Sequence, residues 1–296
     1  MKEVVVISGK GGTGKTSIVA AFASLAKNAV LADCDVDAAD LHLILNPKVK
    51  QTSDFSGGKQ AAIVADKCIG CGRCMDMCRF GAIRIEGPPN DITAKTYTVD
   101  NISCEGCKVC VEFCPVDAID FKDAINGQWF VSDTRFGPMV HAKLGIAEEN
   151  SGKLVTLIRN EAKKIAQEQK KDLLIVDGSP GIGCPVIASI TAADLVLIVT
   201  EPTLSGKHDL DRVSELTANF GIETLICVNK ADINPQLTGQ ISEDAQQRGL
   251  KVIGKIPYDE AFTKAQIIKA SVIEYTGGAI AEQIKALWRQ LTYALG

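Results

Sequence analysis

Aromatic side chains are scarce in this sequence, with 2 Trp, 4 Tyr and 9 Phe among 296 residues. So few rings leave little platform for stacking bases, which argues against a single-stranded nucleic-acid surface. Neither sign of charge dominates: 32 Lys and Arg stand against 36 Asp and Glu, a formal charge of −4. That balance gives no broad attraction to nucleic acid or anionic lipid, and no nucleic-acid partner is expected. Long hydrophobic runs are missing too, since none approaches the roughly 20 apolar residues that cross a bilayer. The first apolar run, Val4-Val5-Val6-Ile7, is too short for a signal peptide. The chain is therefore expected to be soluble and cytoplasmic, without stable membrane insertion. Cysteine, by contrast, is plentiful at 11 residues. In a cytoplasmic protein that number points to metal rather than to disulfides.

Directly after Val4–Ile7 comes Gly9-Lys10-Gly11-Gly12-Thr13-Gly14-Lys15-Thr16. The G-x-x-x-x-G-K-[ST] spacing is that of a phosphate-binding loop, whose backbone N–H groups and following helix N-terminus wrap negative charge. Lys15 is placed to reach the β- and γ-phosphates, and Thr16 to ligate Mg²⁺. Ser17 begins the helix that follows and belongs to the same nucleotide-binding set. The next apolar run, Ala29-Val30-Leu31-Ala32, ends in Asp33-Cys34-Asp35-Val36-Asp37. Carboxylates where a parallel strand ends can hold the Mg²⁺ water shell or orient an attacking water, unless they are a solvated acidic turn.

Lys10 within the loop, the Asp33/Asp35 pair, and Asp177-Gly178-Ser179-Pro180-Gly181 after a later strand resemble the deviant-Walker ATPases. That family includes MinD, ParA, the Mrp-type cluster carriers and the nitrogenase iron protein. The resemblance implies an ATP sandwiched between two subunits, with Lys10 crossing to the partner's nucleotide. It further implies that Asp35 positions the hydrolytic water with Asp33 supporting it, and that Asp177 is the acid near Mg²⁺. Asp177 to Gly183 resembles a switch that responds to the γ-phosphate. Cys184 closes it, either as a contact for a redox partner or as a small buried residue opening a helix. Asn229-Lys230-Ala231-Asp232 alone reads as the N-K-x-D guanine motif. The resemblance instead has Asn229 contact adenine, helped by the backbone around Pro257, and the deviant Lys10 favours ATP over GTP.

Cys68-x2-Cys71-x2-Cys74-x3-Cys78 is repeated as Cys104-x2-Cys107-x2-Cys110-x3-Cys114-Pro115. Each is the bacterial ferredoxin run, in which three thiolates ligate one cluster and the fourth ligates the other. Cys68, Cys71, Cys74 and Cys114 are thus assigned to one 4Fe-4S cluster, and Cys104, Cys107, Cys110 and Cys78 to a second. Gly70, Gly72 and Gly106 are read as leaving room for the inorganic cores. Arg79 stands where the first run should have proline, which affects the local turn more than ligation. Zinc is the competing ligand set, but a duplicated four-cysteine run suits one tetrahedral ion poorly.

These signals predict an α/β fold: a doubly wound, mostly parallel P-loop NTPase sheet with an inserted α+β ferredoxin-like domain. The ATPase occupies residues 1–60 and 127–296, and the insertion 61–126. Ala61–Val64 and Phe121 are expected as short strands bracketing the clusters, and residues 86–91 as part of a hairpin with Tyr97–Val99. Residues 134–153 read as loop-like, either a partner-facing surface or a plain connector, with His141 an ordinary polar contact. The runs at 173–176, 195–199, 225–228 and 252–253 lack polar alternation, as strands buried on both faces do. Ile280, Ile284, Leu287, Trp288 and Leu291 have helical spacing suited to core packing rather than to a membrane surface.

The combination implies ATP, Mg²⁺ and two 4Fe-4S clusters serving an ATP-dependent electron-transfer protein. A maturation factor assisting cofactor assembly on a client is the alternative. A spatial switch of the MinD/ParA type is a third class, disfavoured by the weakly basic terminal helix. A transferable-cluster C-x-x-C near the C-terminus, on which Mrp-type carriers depend, is not present. Expected partners are a second copy or a paralogous ATPase, and a redox or cofactor-assembly client.

Overall fold

The computed structural model describes residues 1–145 and 152–296. In chain order, β1 (Lys2–Ser8), α1 (Lys15–Leu25), β2 (Ala29–Asp33) and α2 (Leu41–Leu45) lead into the long β3 (Lys48–Ile63). The cysteine-bearing segment holds α3 (Arg73–Met77), β4 (Ile83–Gly87), β5 (Thr96–Val99) and α4 (Val109–Glu112). It returns through β6 (Ile119–Thr134) and β7 (Gly137–Leu144) to α5 (Gly152–Glu168), β8 (Leu173–Pro180), α6 (Cys184–Ile190) and β9 (Leu195–Thr200). The chain then continues as α7 (Leu204–Asn219), β10 (Thr224–Asn229), α8 (Pro235–Gln247) and β11 (Lys251–Ile256), and ends in α9 (Ala261–Ile267), α10 (Val272–Tyr275) and α11 (Ala279–Leu295).

One sheet of nine strands has the order β11-β10-β9-β1-β8-β2-β7-β6-β3. Every pairing from β11 to β7 is parallel. The apolar runs explain this: β1, β2, β8, β9 and β10 are buried almost throughout, because helices cover both faces of a parallel sheet. Edge strand β11 shows mixed burial instead. Alanines let α1 lie close to the sheet, with Ile18 to Ala23 buried. The stripe predicted near the C-terminus packs inward as α11, burying Ile280, Ile284, Leu287 and Leu291, while Trp288 meets Phe22 at 5.0 Å. This is the doubly wound, mostly parallel architecture expected. Because the strands are parallel, their carboxyl ends gather at one side, where ligands of such sheets bind.

Two expectations are corrected here. Residues 134–153 are not loop-like throughout, since β7 occupies Gly137–Leu144 and joins β6 through the two-residue turn Arg135-Phe136. Such a short link can only connect antiparallel neighbours. The turn is held by Arg135, which pairs with Glu274 at 2.6 Å and donates to the Leu45 carbonyl at 2.7 Å. Residues 146–151, including Glu148-Glu149-Asn150-Ser151, lie outside the described residues, and Gly152-Lys153 open α5. Nor are the strands at Ala61–Val64 and Phe121 short, because each is one end of a 16-residue strand, β3 and β6. Cross-strand partners run in opposite order, Lys50 with Asp133, Asp54 with Gln128 and Gly57 with Asn126, as antiparallel strands require.

The chain divides into two compact units, one containing Met1–Ser53, Trp129–Lys143 and, among the described residues, 152–296, the other containing Asp54–Gln128 with Leu144 and Gly145. Its main crossings between them lie inside β3 and inside β6. Within the second unit β4 and β5 form the antiparallel hairpin the sequence suggests, with Ile83 opposite Val99. Its small interior is built from Cys68, Ile83, Tyr97 and Ala118, with other cysteines packed against them. No helix among the described residues is long and apolar enough to cross a membrane.

Candidate functional site

The loop between β1 and α1 delivers Lys15 into a nest of acids. Its ammonium lies 2.5 Å from Asp177 Oδ1 within β8 and 3.1 Å from Asp35 Oδ2 just past β2. Lys15 is 5% exposed and Asp33 and Asp177 are fully buried. Burial alone would favour the neutral amine, but attraction to Asp177 and Asp35 outweighs it and raises the Lys15 pKa. Burial first, then the like charge of Asp177, holds the Asp33 carboxyl well above the usual range. Asp35 is raised by burial against the opposing pull of Lys15.

Glycine is required at two ends of the loop for steric reasons within the protein. A Cβ at Gly9 would meet Asp209 Cβ at 2.3 Å, and one at Gly14, where φ is +88°, would meet Asn229 Nδ2 at 2.3 Å. Gly11 and Gly12 face open space. Asp33 Oδ2, Asp35 Oδ1, Asp177 Oδ2, Thr13 Oγ1 and Asn229 Oδ1 are buried without a hydrogen-bond partner in the structure. Orphaned buried acceptors around one lysine are costly alone. The carboxylates among them are oxygen donors of the kind a hard cation takes, although no three converge as a direct ligand set among the described residues.

Lys10 is held by its own chain. Its ammonium pairs with Glu201 at 2.7 Å and donates to Ser205 Oγ at 2.8 Å and Thr203 Oγ1 at 3.2 Å. Glu201 also receives Lys230 at 2.9 Å, and Lys230 donates in turn to the Gly12 carbonyl. Burial works against the Glu201 carboxylate, yet these two lysines lower its pKa and keep it ionised.

Gly14, Ser17, Asn229, Lys230, Pro257 and Tyr258 line an open pocket beside the loop. Asn229 Nδ2 donates to the Thr13 carbonyl at 2.8 Å, fixing the amide against the loop. Asp232 is engaged elsewhere, accepting from Tyr258 N–H at 2.6 Å. Gln266, which sequence reasoning missed, donates to Ser17 Oγ at 2.8 Å and lines the same pocket. Glu201, Thr203 and Ser205 were also missed. One signal pointed to them: they follow β9, and the carboxyl ends of parallel strands carry the site.

The eight cysteines of the second unit sort into two sets. Cys68, Cys71, Cys74 and Cys114 line one open pocket of about 330 Å³. Cys78, Cys104, Cys107 and Cys110 line another of about 380 Å³. Each set therefore draws three residues from one run and one from the other. Among the described residues, no three His, Cys, Asp or Glu side chains converge as a single metal ion requires. Burial, and then neighbouring thiols, push Cys74 up to about 11 and raise Cys110. Crowded thiols that resist ionising on their own fit a cationic core that would stabilise thiolates. The glycine expectation is corrected: Gly70 and Gly106 are left-handed and lie against protein, where a Cβ would meet the Lys95 carbonyl at 2.7 Å and the Lys59 carbonyl at 2.2 Å. Cys184 starts α6 but is exposed rather than buried.

Residues 4–272 match the family described as the CobQ/CobB/MinD/ParA nucleotide binding domain. An uncharacterized protein of Methanocaldococcus jannaschii is 33% identical, the alignment covering 98% of this chain and 96% of the relative. A shorter match of 57 residues, 42% identical, covers 19% of this chain and 70% of an uncharacterized ferredoxin of the same organism. Among solved structures, MinD complexed with Mg-ADP from Pyrococcus horikoshii has a TM-score of 0.57 at 16% identity, covering 100% of this chain and 97% of that one.

Proposed function

Because this chain belongs to the CobQ/CobB/MinD/ParA nucleotide-binding family, we propose that it binds and hydrolyses MgATP and couples that cycle to electron transfer through two 4Fe-4S clusters to a partner protein. The observation that carries the proposal is the sorting of eight cysteines into two four-residue sets in a chain that also holds the Lys15 carboxylate nest. The loop amides and Lys15 bind the phosphates. Thr16, Asp35 and Asp177 would hold Mg²⁺, which when bound would neutralise charge on the phosphates. Asp35 orients the attacking water. Asn229 and the Pro257 segment bind the base, and the deviant Lys10 favours adenine over guanine. Lys10 serves the nucleotide of a second subunit once released from Glu201. The clusters, when bound, would supply one-electron carriers. The protein's part is to ligate them through Cys68, Cys71, Cys74 and Cys114, and through Cys104, Cys107, Cys110 and Cys78.

The test is an anaerobic redox titration followed by EPR on protein whose iron has been counted, with and without MgATP. About eight irons per chain and a midpoint that moves with nucleotide are expected, at roughly 0.7 kcal/mol per 30 mV for one electron. Iron that binds without any shift would leave the clusters as passive relays and favour a maturation role. Absence of iron-sulfur signals after anaerobic reconstitution would refute the proposal.

A further inference from the structure

The short segment that carries Asp35 is fastened beyond the end of β2. Cys34 N–H donates to the Asp177 carbonyl at 2.8 Å, and Asp35 N–H donates to Asp33 Oδ1 at 3.2 Å. On the other side of the same peptide, Ser179 Oγ donates to the Cys34 carbonyl at 2.6 Å. Ser179 is 2% exposed and Cys34 fully buried, so a lost bond there is not readily replaced by water.

The route by which Ser179 reaches Cys34 is visible in the sheet register. Val6 of β1 pairs with Asp177, but Ser8 pairs with Pro180, so β8 carries one residue more than β1 over this interval. A bulge of this kind re-aims a side chain and is common beside active sites. Gly178 permits it: a Cβ there would lie 2.7 Å from Ile7 Cγ2. The segment that follows is stitched down again where Gly181 N–H donates to the Ser8 carbonyl at 2.9 Å.

We infer that Ser179 is a positioning residue for hydrolysis: its hydroxyl holds the Cys34 peptide so that the neighbouring Asp35 carboxylate keeps its place against Lys15. The inference rests on the role proposed above for Asp35. It also gives the Asp177–Gly183 segment a direct mechanical hold on that carboxylate, since displacing Ser179 frees the Cys34 carbonyl.

The experiment measures MgATP hydrolysis and fluorescent-ADP binding on the full-length protein carrying Ser179→Ala, Ser179→Thr or Asp35→Asn. Ser179→Ala is expected to lower kcat roughly five-fold or more, the rate equivalent of one lost hydrogen bond, while KM and ADP affinity stay within about two-fold. Ser179→Thr, which keeps the hydroxyl, should restore most of the rate. If Ser179→Ala does not fold, Ser179→Cys preserves volume with only a weak donor and should show the same drop. An unchanged kcat in Ser179→Ala, alongside a loss in Asp35→Asn, would overturn the inference and leave the Asp35 role intact. A fall in kcat that threonine does not rescue, with weaker ADP binding, would mark Ser179 as structural only. Wild-type hydrolysis by Asp35→Asn would instead overturn the Asp35 role, and this inference with it.

Discussion

A lysine that is 5% exposed between two carboxylates cannot be deleted without stranding them. Lys15→Ala should therefore abolish nucleotide binding and also destabilise the fold, by about 3–5 kcal/mol where a buried charge loses its partner. The destabilisation should shrink as pH falls and the acids take up protons. Thermal unfolding across pH, with iron counted in parallel, checks this, and iron content should not change. At this scale the sequence was most informative where chemistry is local. The phosphate loop was legible because its spacing encodes a backbone shape, and Asp35 and Asp177 because they close apolar runs. Glu201 as the holder of Lys10 was not legible, since the two stand 191 positions apart and only the strand order β9-β1 brings them together.

Element by element, buried parallel strands announced themselves as unbroken apolar runs, whereas β7 did not. Its residues Gly137-Pro138-Met139-Val140-His141 combine turn formers with a polar ring, a composition that resembles a connector. The polar ring is accommodated because His141 shares a 2.9 Å hydrogen bond with Ser132 on β6 and stacks on Phe130 and His42. Burial, and then His42, push the His141 pKa down to about 4. An unfolded chain titrates this group near 6.5. Between those values the unfolded state binds the extra proton, so the contribution is intact above pH 6.5 and is lost as pH falls toward 4. The loss amounts to at most about 3 kcal/mol. Urea unfolding midpoints from pH 7 down to 4 should fall less steeply in His141→Gln than in the natural chain. Equal slopes would remove His141 from the acid limb.

For the molecule as a whole, the crossed cysteine sets make a prediction that neither run makes alone. Cys68→Ala with Cys114→Ala should cost no more iron than either change singly, about four atoms per chain, because both belong to one set. Cys68→Ala with Cys78→Ala should lose nearly all of it. Additive loss in the first pair would refute the crossed assignment. The duplicated spacing made these sets legible from sequence, but the 16-residue strands were not. Much of β3 and β6 is exposed and rich in polar residues and glycine, so neither strand stands out as an apolar run. That concealed pair has a consequence for ancestry. Asp54 and Gln128, the first and last residues of the cysteine-bearing unit's main span, are hydrogen-bonded to one another at 3.0 Å. That main span thus begins and ends at one rung of the antiparallel β3–β6 pair. A gene could acquire or discard the cysteine-bearing span at that one place, and the strands on the nucleotide side would merely be joined by a turn.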